Sequence, residues 1–167
     1  KESLEIFSSK KNLRVIELVS LDGFNDKTSV RNINGGLLLQ ETDTFTVDAK
    51  SLKIVTDSKI SPNTYGTIEF GWTVLKYIKS NGILIVKNNA TLGVGAGQVS
   101  RVDSVDIAIT KASGDIKDSI LLSDAFFPFR DSIDKIAKSG IRCIIQPGGS
   151  KRDQEVIDAC NEYSIAM

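Results

Sequence analysis

The chain has 167 residues, of which 41% are hydrophobic and 25% charged, and its 21 Lys and Arg residues are balanced by 21 Asp and Glu residues. This composition is that of an ordinary globular domain, and the zero net charge argues against binding to nucleic acid or to an anionic membrane surface. Histidine is absent, which argues against histidine-based catalysis by this chain alone. There is no long apolar run and no apolar signal-peptide region, which argues against a membrane span and against a secretory signal.

The first part of the chain, residues 1–64, gives two predicted strands and a connector. The run "NLRVIELV" (12–19) is rich in β-forming residues and predicts a buried strand, and "GGLLLQETDT" (35–44) predicts a second strand with a polar end. Residues 21–32 are polar and rich in turn formers, and residues 46–64 have no clear period and end in turn residues. We assign these residues to N-terminal strands and a connector.

From residue 65 onward the hydrophobic pattern is regular. The predicted helices are 65–80, 100–113, 130–139 and 151–163, and the predicted strands are 82–89, 90–97, 119–125 and 141–146. The two adjacent strands, joined at Asn88 and Asn89, predict an antiparallel hairpin. The later strand–helix–strand alternation predicts right-handed crossovers and parallel pairing. Residues 65–167 are therefore predicted to form an α/β unit, with a mixed sheet between two helical layers.

The two cysteines, Cys143 and Cys160, both lie among apolar residues. This pattern predicts two buried free thiols in a reducing compartment, with a disulfide or a metal site as the alternatives. Two cysteines without further ligands do not make a zinc site.

Three strand-to-helix junctions are unusual in composition: the first junction (93–101, "GVGAGQVSR"), the second (123–131, "SDAFFPFRD") and the third (146–153, "QPGGSKRD"). Ligands of open α/β sheets collect at such junctions. In the first junction, three glycines would allow close approach of the backbone to a ligand, and Arg101 falls in the first helical turn. The helix dipole disfavours a cation there by up to about 1 kcal/mol, and a bound anion would reverse that cost.

The third junction repeats this scheme, because Gly148 and Gly149 are followed by Ser150, Lys151 and Arg152. Two glycine-rich, cationic helix starts on one sheet edge favour an anionic ligand. The alternative for each junction alone is a flexible turn with a capping serine.

The second junction places three aromatic rings around Pro128. Since proline cannot donate to a strand ladder, these rings are not expected in a core strand, and a binding wall at the sheet edge is one interpretation. The alternative is a hydrophobic staple and helix cap, with no ligand.

Known nucleotide motifs do not fit the first junction. Gln98 breaks the G-x-G-x-x-G pattern, and no Gly-Lys-Ser/Thr follows. The order of a hairpin followed by crossovers suits the cytidine deaminase fold, but its helix starts here carry "SRVD" and "FFPFRD" instead of zinc-binding motifs. The predicted fold is a three-layer α/β/α, cytidine deaminase-like fold without the zinc site.

Four separated segments carry a family resemblance. The segments are "KSNG" (79–82), "VGAGQVSRVDS" (94–104), "SDAFFPFRDSID" (123–134) and "IQPGGSKRDQEVIDA" (145–159). In this order they resemble the C-terminal part of bacterial AICAR transformylase/IMP cyclohydrolase, the bifunctional enzyme of the last two steps of purine synthesis. The segments "KKNLRVIEL" (10–18) and "GGLLLQETDT" are also similar to the family, so the resemblance covers nearly the whole chain.

The resemblance implies an activity and partners. The family's transformylase domain transfers a formyl group from 10-formyltetrahydrofolate to the 5-amine of AICAR, giving FAICAR. The resemblance also implies a cytoplasmic homodimer with sites at the subunit interface, a potassium ion next to "KSNG", no zinc, and no nucleic-acid or membrane partner.

The resemblance further implies roles for residues in the matching motifs. Asn81 is the candidate catalytic residue, contacting the AICAR base and the reacting amine or formyl group. Arg101 and Phe126 would also contact AICAR, and Phe127 and Phe129 would pack beneath Phe126 or against the second subunit. The folate side would be formed by Val102, Asp131, Ser150 and Lys151, the last through its backbone.

Parts of the family's site would lie outside this chain. The essential Lys-His pair and the cyclohydrolase domain would precede Lys1, and a strand rich in Arg and His would follow Met167. We therefore expect the chain to be a piece of a longer protein and to be inactive alone. The alternative hypotheses are a non-catalytic deaminase-like module that binds nucleotide or folate, and a purely structural domain.

Overall fold

The computed structural model describes residues 2–20 and 27–167. The chain divides into two compact units, Lys1–Thr44 and Phe45–Met167. Residues 45–64, which the sequence pattern grouped with the N-terminal strands, lie within the second unit.

The first unit contains a short helix and a hairpin. Helix α1 covers Glu2–Ser8, and strands β1 (Thr28–Ile33) and β2 (Gly36–Glu41) pair antiparallel. The strand predicted over 35–44 is confirmed as β2, although all of its residues are exposed.

Two other predictions for this unit fail. The strand predicted over 12–19 is wrong, because these residues form no strand and Val19 is fully exposed. A β-rich run needs a neighbouring strand to satisfy its backbone, and β1 and β2 pair with each other instead. The prediction that 21–32 is turn-rich is also wrong where it overlaps β1, and residues 21–26 lie outside the described part of the chain. The two strands are joined by Asn34-Gly35, a dipeptide that favours a tight hairpin turn.

The second unit contains all eight elements predicted from residue 65 onward, in the predicted order. They are α2 (Tyr65–Leu75), β3 (Ile83–Lys87), β4 (Ala90–Gly95), α3 (Arg101–Thr110), β5 (Ile120–Ser123), α4 (Asp131–Lys138), β6 (Cys143–Ile145) and α5 (Asp153–Glu162). Before them, the connector forms two single 3₁₀ turns, Ala49–Ser51 and Pro62–Thr64. The predicted order is confirmed, and the observed elements are shorter than the predicted ones.

The four strands of this unit form one mixed sheet in the order β4-β3-β5-β6. Strand β3 is antiparallel to both of its neighbours, and β5 and β6 are parallel. The chain end continues the sheet, because Ala166 forms a parallel bridge with Cys143. The predicted mixed sheet is confirmed. Because only β3 runs in the opposite direction, its start lies at the same edge as the ends of β4 and β5.

Helices cover both faces of the sheet, as the alternation of strand residues requires. Leu84, Val86 and Leu122 face one side and pack with Ile68 and Leu75 of α2. The neighbouring strand residues Ile83, Ile85 and Leu121 face the other side of the sheet. There they form a second core with residues of α3, α4 and α5: Val105, Ile133, Ile136 and Val156. The predicted three-layer α/β/α arrangement is confirmed.

Two glycines of the first junction have a structural role that differs from the predicted one. A Cβ atom on Gly93 would lie 2.2 Å from the carbonyl oxygen of Ala108, and one on Gly95 would lie 1.9 Å from that of Ser104. Close approach is indeed the reason for these glycines, but the neighbour is the backbone of α3 rather than a ligand. At both positions the space that a side chain would occupy is thus filled by α3.

Both cysteines are buried and free, as predicted. Burial raises the pKa of Cys143 and of Cys160 to about 12, so both are protonated at neutral pH. Within residues 2–20 and 27–167, no helix is both long and apolar enough to cross a membrane.

Candidate functional site

A cleft of about 490 Å³ opens where the ends of β4 and β5 meet the start of β3. It is lined by Asn81, Val99, Ser100, Arg101, Val102, Ala125, Phe126, Pro128, Phe129, Asp131 and Ser132. Five of the seven residues predicted for the site are therefore together in one cleft. They are Asn81, Arg101, Val102, Phe126 and Asp131.

Arg101, at the start of α3, turns inward and has three polar partners. Its guanidinium donates to Asp124 Oδ1 at 2.5 Å, Ser123 Oγ at 2.9 Å and Asn81 Oδ1 at 2.7 Å. The residue is only 9% exposed. The anion that compensates the unfavourable helix dipole is thus the carboxylate of Asp124, so the structure does not require a bound anion to explain a cation at this position.

Asn81 connects two loops of the cleft. Its Nδ2 donates to the carbonyl oxygens of Gln98 at 2.9 Å and Val99 at 3.2 Å, and its Oδ1 accepts from Arg101. Its own main-chain carbonyl accepts a hydrogen bond from Ser104 Oγ at 2.7 Å. The peptide bond between Ser80 and Asn81 is cis. Because both amide hydrogens have acceptors, a ligand would contact the free lone pair of Oδ1 or replace one of these bonds.

Asp124, which follows β5, supplies the negative charge that faces Arg101. Burial would raise the pKa of its carboxyl group, but hydrogen bonds from Ser80 and Arg101 outweigh burial and lower the pKa below its ordinary value. Asp124 is therefore ionised at neutral pH and is unsuited to proton transfer there. Sequence reasoning did not select Asp124, although its position directly after β5 was a signal that could have identified it.

The aromatic residues of the second junction divide differently from the prediction. Phe127 is fully buried in the core, as expected, and its backbone N–H donates to Gln146 Oε1 at 2.7 Å. Phe126 and Phe129 are 38% and 47% exposed, and both line the cleft. The predicted packing of Phe129 beneath Phe126 is wrong, and the other expectation, packing of Phe129 against a second subunit, stays a prediction. Its ring instead lies under the guanidinium of Arg152, 4.8 Å from ring centroid to carbon.

Asp131 begins α4 at the rim of the cleft. Its Oδ1 accepts a hydrogen bond from the backbone N–H of Ser132 at 2.7 Å, so the carboxylate stabilises one free donor of the helix start. The second oxygen, Oδ2, takes no part in this bond.

The third junction does not line this cleft. The N–H groups of Gly149 and Ser150 donate to the carboxylate of Asp153 at 2.7 and 3.0 Å, and Ser150 Oγ accepts from the N–H of Arg152. The donors that suggested an anion site already have an acceptor within the chain. Ser150 and Lys151 are thus apart from the other five predicted residues, and the third junction contacts the second through the Gln146 side chain and through Arg152 stacked on Phe129.

A second cavity, of about 460 Å³, lies beside β6 within the second unit. Its walls are mostly apolar and include Phe45, Leu52, Trp72, Ile145 and Met167. It contains none of the predicted site residues. Across residues 2–20 and 27–167 no group of three or more His, Cys, Asp or Glu side chains could hold a metal ion.

Comparisons with known proteins agree with the family resemblance. The profile of the AICARFT/IMPCHase bienzyme family matches residues 1–111. A bifunctional purine biosynthesis protein PurH from Aquifex aeolicus is 50% identical over 169 residues, which cover 99% of this chain and 32% of that protein. The PurH protein from Anoxybacillus flavithermus is 43% identical over 166 residues, covering 99% of this chain and 32% of that protein. The chain thus spans about a third of the length of these relatives.

Solved structures give weaker matches. A dCMP deaminase from the cyanophage S-TIM5, solved in complex with dCMP and dUMP, aligns with a TM-score of 0.44 at 16% identity, covering 64% of this chain and 96% of that one. A diaminohydroxyphosphoribosylaminopyrimidine deaminase/reductase from Thermotoga maritima aligns with a TM-score of 0.41 at 18% identity, covering 59% and 32%. Superpositions at this level carry no argument about function.

The match of the family profile to two thirds of the residues decides which family this is. The chain belongs to the AICARFT/IMPCHase bienzyme family of purine biosynthesis proteins.

Proposed function

We propose that this chain forms part of an AICAR formyltransferase site, in a longer protein that transfers the formyl group of 10-formyltetrahydrofolate to AICAR. The observation that supports this most is the cleft in which Asn81, Arg101, Val102, Phe126 and Asp131 come together. These are residues to which the family resemblance assigns substrate contacts, and they come from three separate segments of the chain.

The chemistry of the transfer suits this kind of cleft. The nitrogen of the AICAR amine attacks the formyl carbon, the bond from that carbon to N10 of the folate breaks, the amine loses a proton and N10 gains one. An amine attached to an aromatic ring is a weak nucleophile, so holding the two reactants in an attacking geometry contributes much of the rate. Asn81 and Arg101 are the polar groups proposed to orient the AICAR ring and its amine.

The aromatic residues are proposed to bind the flat parts of both substrates. Phe126 and Phe129 offer exposed ring surface in the cleft, next to Val102 and Pro128. Apolar walls with a few polar groups are typical of sites for planar ligands. Asp131, at the rim, is proposed to accept hydrogen bonds from the folate, while Ser150 and Lys151 would contact it from outside this cleft.

The proton transfers are proposed to depend on residues outside this sequence. Asp124 is already ionised and paired with Arg101, and the chain has no histidine. The family resemblance implies a Lys-His pair upstream of Lys1 and a site completed across a homodimer interface. We infer that this chain alone has no measurable formyltransferase activity. The cyclohydrolase activity, in this proposal, belongs to a different part of the longer protein.

A potassium ion next to "KSNG" is also part of the proposal. Ser80 and Asp124 bring a hydroxyl and a carboxylate oxygen together there, and oxygen donors suit such a cation. The ion, when bound, would supply fixed positive charge, and these two residues are proposed to help hold it.

The test uses the full-length protein that carries this sequence. Purified as a folded dimer, it is expected to convert AICAR and 10-formyltetrahydrofolate to FAICAR and tetrahydrofolate, followed by the absorbance change of the folate. Absence of turnover in a folded dimer would contradict the proposal.

A second candidate function is a non-catalytic module that binds nucleotide or folate. It is favoured by one observation, the saturation of Arg101 and of the Asn81 amide by partners within the chain. Calorimetric binding of AICAR and folate by the full-length dimer, without turnover, would support this alternative. Absence of binding would favour a structural domain.

A further inference from the structure

Helix α3 holds Asn81 at two points. Arg101 donates to the side-chain oxygen of Asn81, and Ser104 Oγ donates to its main-chain oxygen, each at 2.7 Å. Residues three apart on a helix lie on the same face, which is why one turn of α3 can make both contacts. The helix therefore fixes the backbone of Asn81 as well as its carboxamide.

The hydroxyl of Ser104 is used in an uncommon way. Ser104 is fully buried, and a serine inside a helix commonly bonds to the carbonyl oxygen four residues earlier in the same helix. Here the hydroxyl donates instead to a residue of a different segment, 23 positions away. Ser100 already provides the N-cap of α3, accepting from the N–H of Asp103 at 3.3 Å. The Ser104 hydroxyl thus contributes to the position of Asn81 rather than to capping its own helix.

The position of Ser104 is itself fixed by the sheet. A Cβ atom on Gly95 would lie 1.9 Å from the carbonyl oxygen of Ser104, so the helix rests directly on the backbone of β4. Gly95 also pairs with Ile83 of β3, two residues after Asn81, so the contact between α3 and β4 helps to hold Ser104 within reach of Asn81.

We propose that Ser104 is a positioning residue for formyl transfer: its hydroxyl fixes the main chain of Asn81, so that the carboxamide meets the reacting amine in one orientation. Ser104 does not line the cleft, whereas Asn81 does. The inference rests on the proposed formyltransferase function and adds to it a residue that the sequence motifs did not single out.

The experiment compares three variants of the full-length protein. Ser104→Ala removes the hydrogen bond and is expected to lower kcat about tenfold, while KM for both substrates stays within about twofold, since the groups that bind them remain. Ser104→Cys keeps the size and a weak S–H donor, and its kcat is expected to lie between those of the wild type and Ser104→Ala. The matched control is Ser119→Ala, because Ser119 is equally buried but its hydroxyl has no hydrogen-bond partner.

Each outcome decides the proposal. A reduced kcat for Ser104→Ala at an unchanged melting temperature, with Ser119→Ala at the wild-type rate, supports it. A folded Ser104→Ala protein with wild-type kcat overturns it, as do equal losses in Ser104→Ala and Ser119→Ala. If Ser104→Ala does not fold, the kcat of Ser104→Cys decides by the same criteria. An inactive wild-type dimer would instead remove the proposed function itself.

Discussion

The first and third junctions have similar sequences, but the arginine of the first is buried and that of the third is exposed. Each has glycines followed by a serine and a cation at a helix start. In the structure, the Arg101 side chain is 8% exposed and bonds to Asp124, whereas the Arg152 side chain is 57% exposed and lies on the ring of Phe129. The difference arises because β5 brings a carboxylate under the start of α3, while Asp153 at the third junction accepts from backbone N–H groups.

The two junctions also differ in what their glycines do. Gly95 lies against the backbone of α3, but Gly149 has open space where a Cβ atom would be and a φ of 100°. A glycine-rich stretch can therefore serve close packing at one junction and turn geometry at the other. Composition alone does not distinguish these two uses.

The largest expected effect on stability comes from replacing Arg101, with the replacement of Arg152 as the control. Arg101→Ala leaves Asp124 without its partner and is expected to reduce the free energy of unfolding by about 3 kcal/mol, because removing one member of a buried ion pair leaves an uncompensated charge. Arg152→Ala, the matched control, is expected to cost less than about 1 kcal/mol, since its contact with Phe129 and its ion pair with Glu155 are both exposed to solvent. Hydrogen exchange in the full-length protein measures both effects, over residues 101–110 for Arg101→Ala and over residues 153–162 for Arg152→Ala. Equal effects of the two substitutions would contradict the distinction.

The next effect on stability is expected from replacing Gly95 and Gly149 by alanine. Gly95→Ala is expected to destabilise the protein by about 3 kcal/mol, because its Cβ atom would overlap a backbone carbonyl that cannot move away easily. Gly149→Ala is expected to cost about 1 kcal/mol, from the positive φ alone. Melting temperatures of the two variants provide the measurement. If Gly149→Ala proves the more damaging, the assignment of close packing to Gly95 is wrong.

A smaller effect is expected on the free energy of unfolding at acid pH, where Asp124 becomes protonated. Since the pKa of Asp124 is lower in the folded protein than in the unfolded chain, its ionised form stabilises the fold above the unfolded value of about 3.9. That contribution is lost as the pH falls through the lower, folded value. Asp124→Asn should therefore be less stable than the wild type at pH 7, and the difference should shrink as the pH falls below about 4.

Urea unfolding of both proteins at a series of pH values tests this prediction. Asp153→Asn at the third junction is a useful comparison, because its carboxylate accepts from backbone N–H groups instead of pairing with an arginine. A stability difference between Asp124→Asn and the wild type that does not change with pH would contradict the role given to the charge of Asp124.

The fold of the second unit could be predicted because its signals are local. The spacing of Ile68, Trp72 and Leu75 indicates a helix whatever surrounds it, and the runs at 82–89 and 119–125 are apolar enough to indicate buried strands. The same rule failed for 12–19, where the residues favour a strand but pairing depends on a neighbour that the pattern does not specify.

The candidate site could be predicted only in part. The motifs identified Asn81, Arg101, Val102, Phe126 and Asp131, which the structure brings into one cleft. They did not indicate that Phe129 would line it, because which of three adjacent aromatic rings enters the core depends on how the backbone turns after β5. Nor did they indicate Asp124 as the partner of Arg101, since the two residues meet only when β5 and α3 pack at one sheet edge.

Sequence patterns were sufficient for the order of the elements from residue 65 onward, for the burial of the two thiols and for the family, because periodicity, local polarity and short motifs are properties of neighbouring residues. Only the packing of the elements settles which arginine is buried against a carboxylate, which glycine contacts a helix backbone and which hydroxyl holds Asn81. These outcomes depend on distances between segments that are about 20 residues apart in the chain, and such distances are set by how helices pack on a sheet.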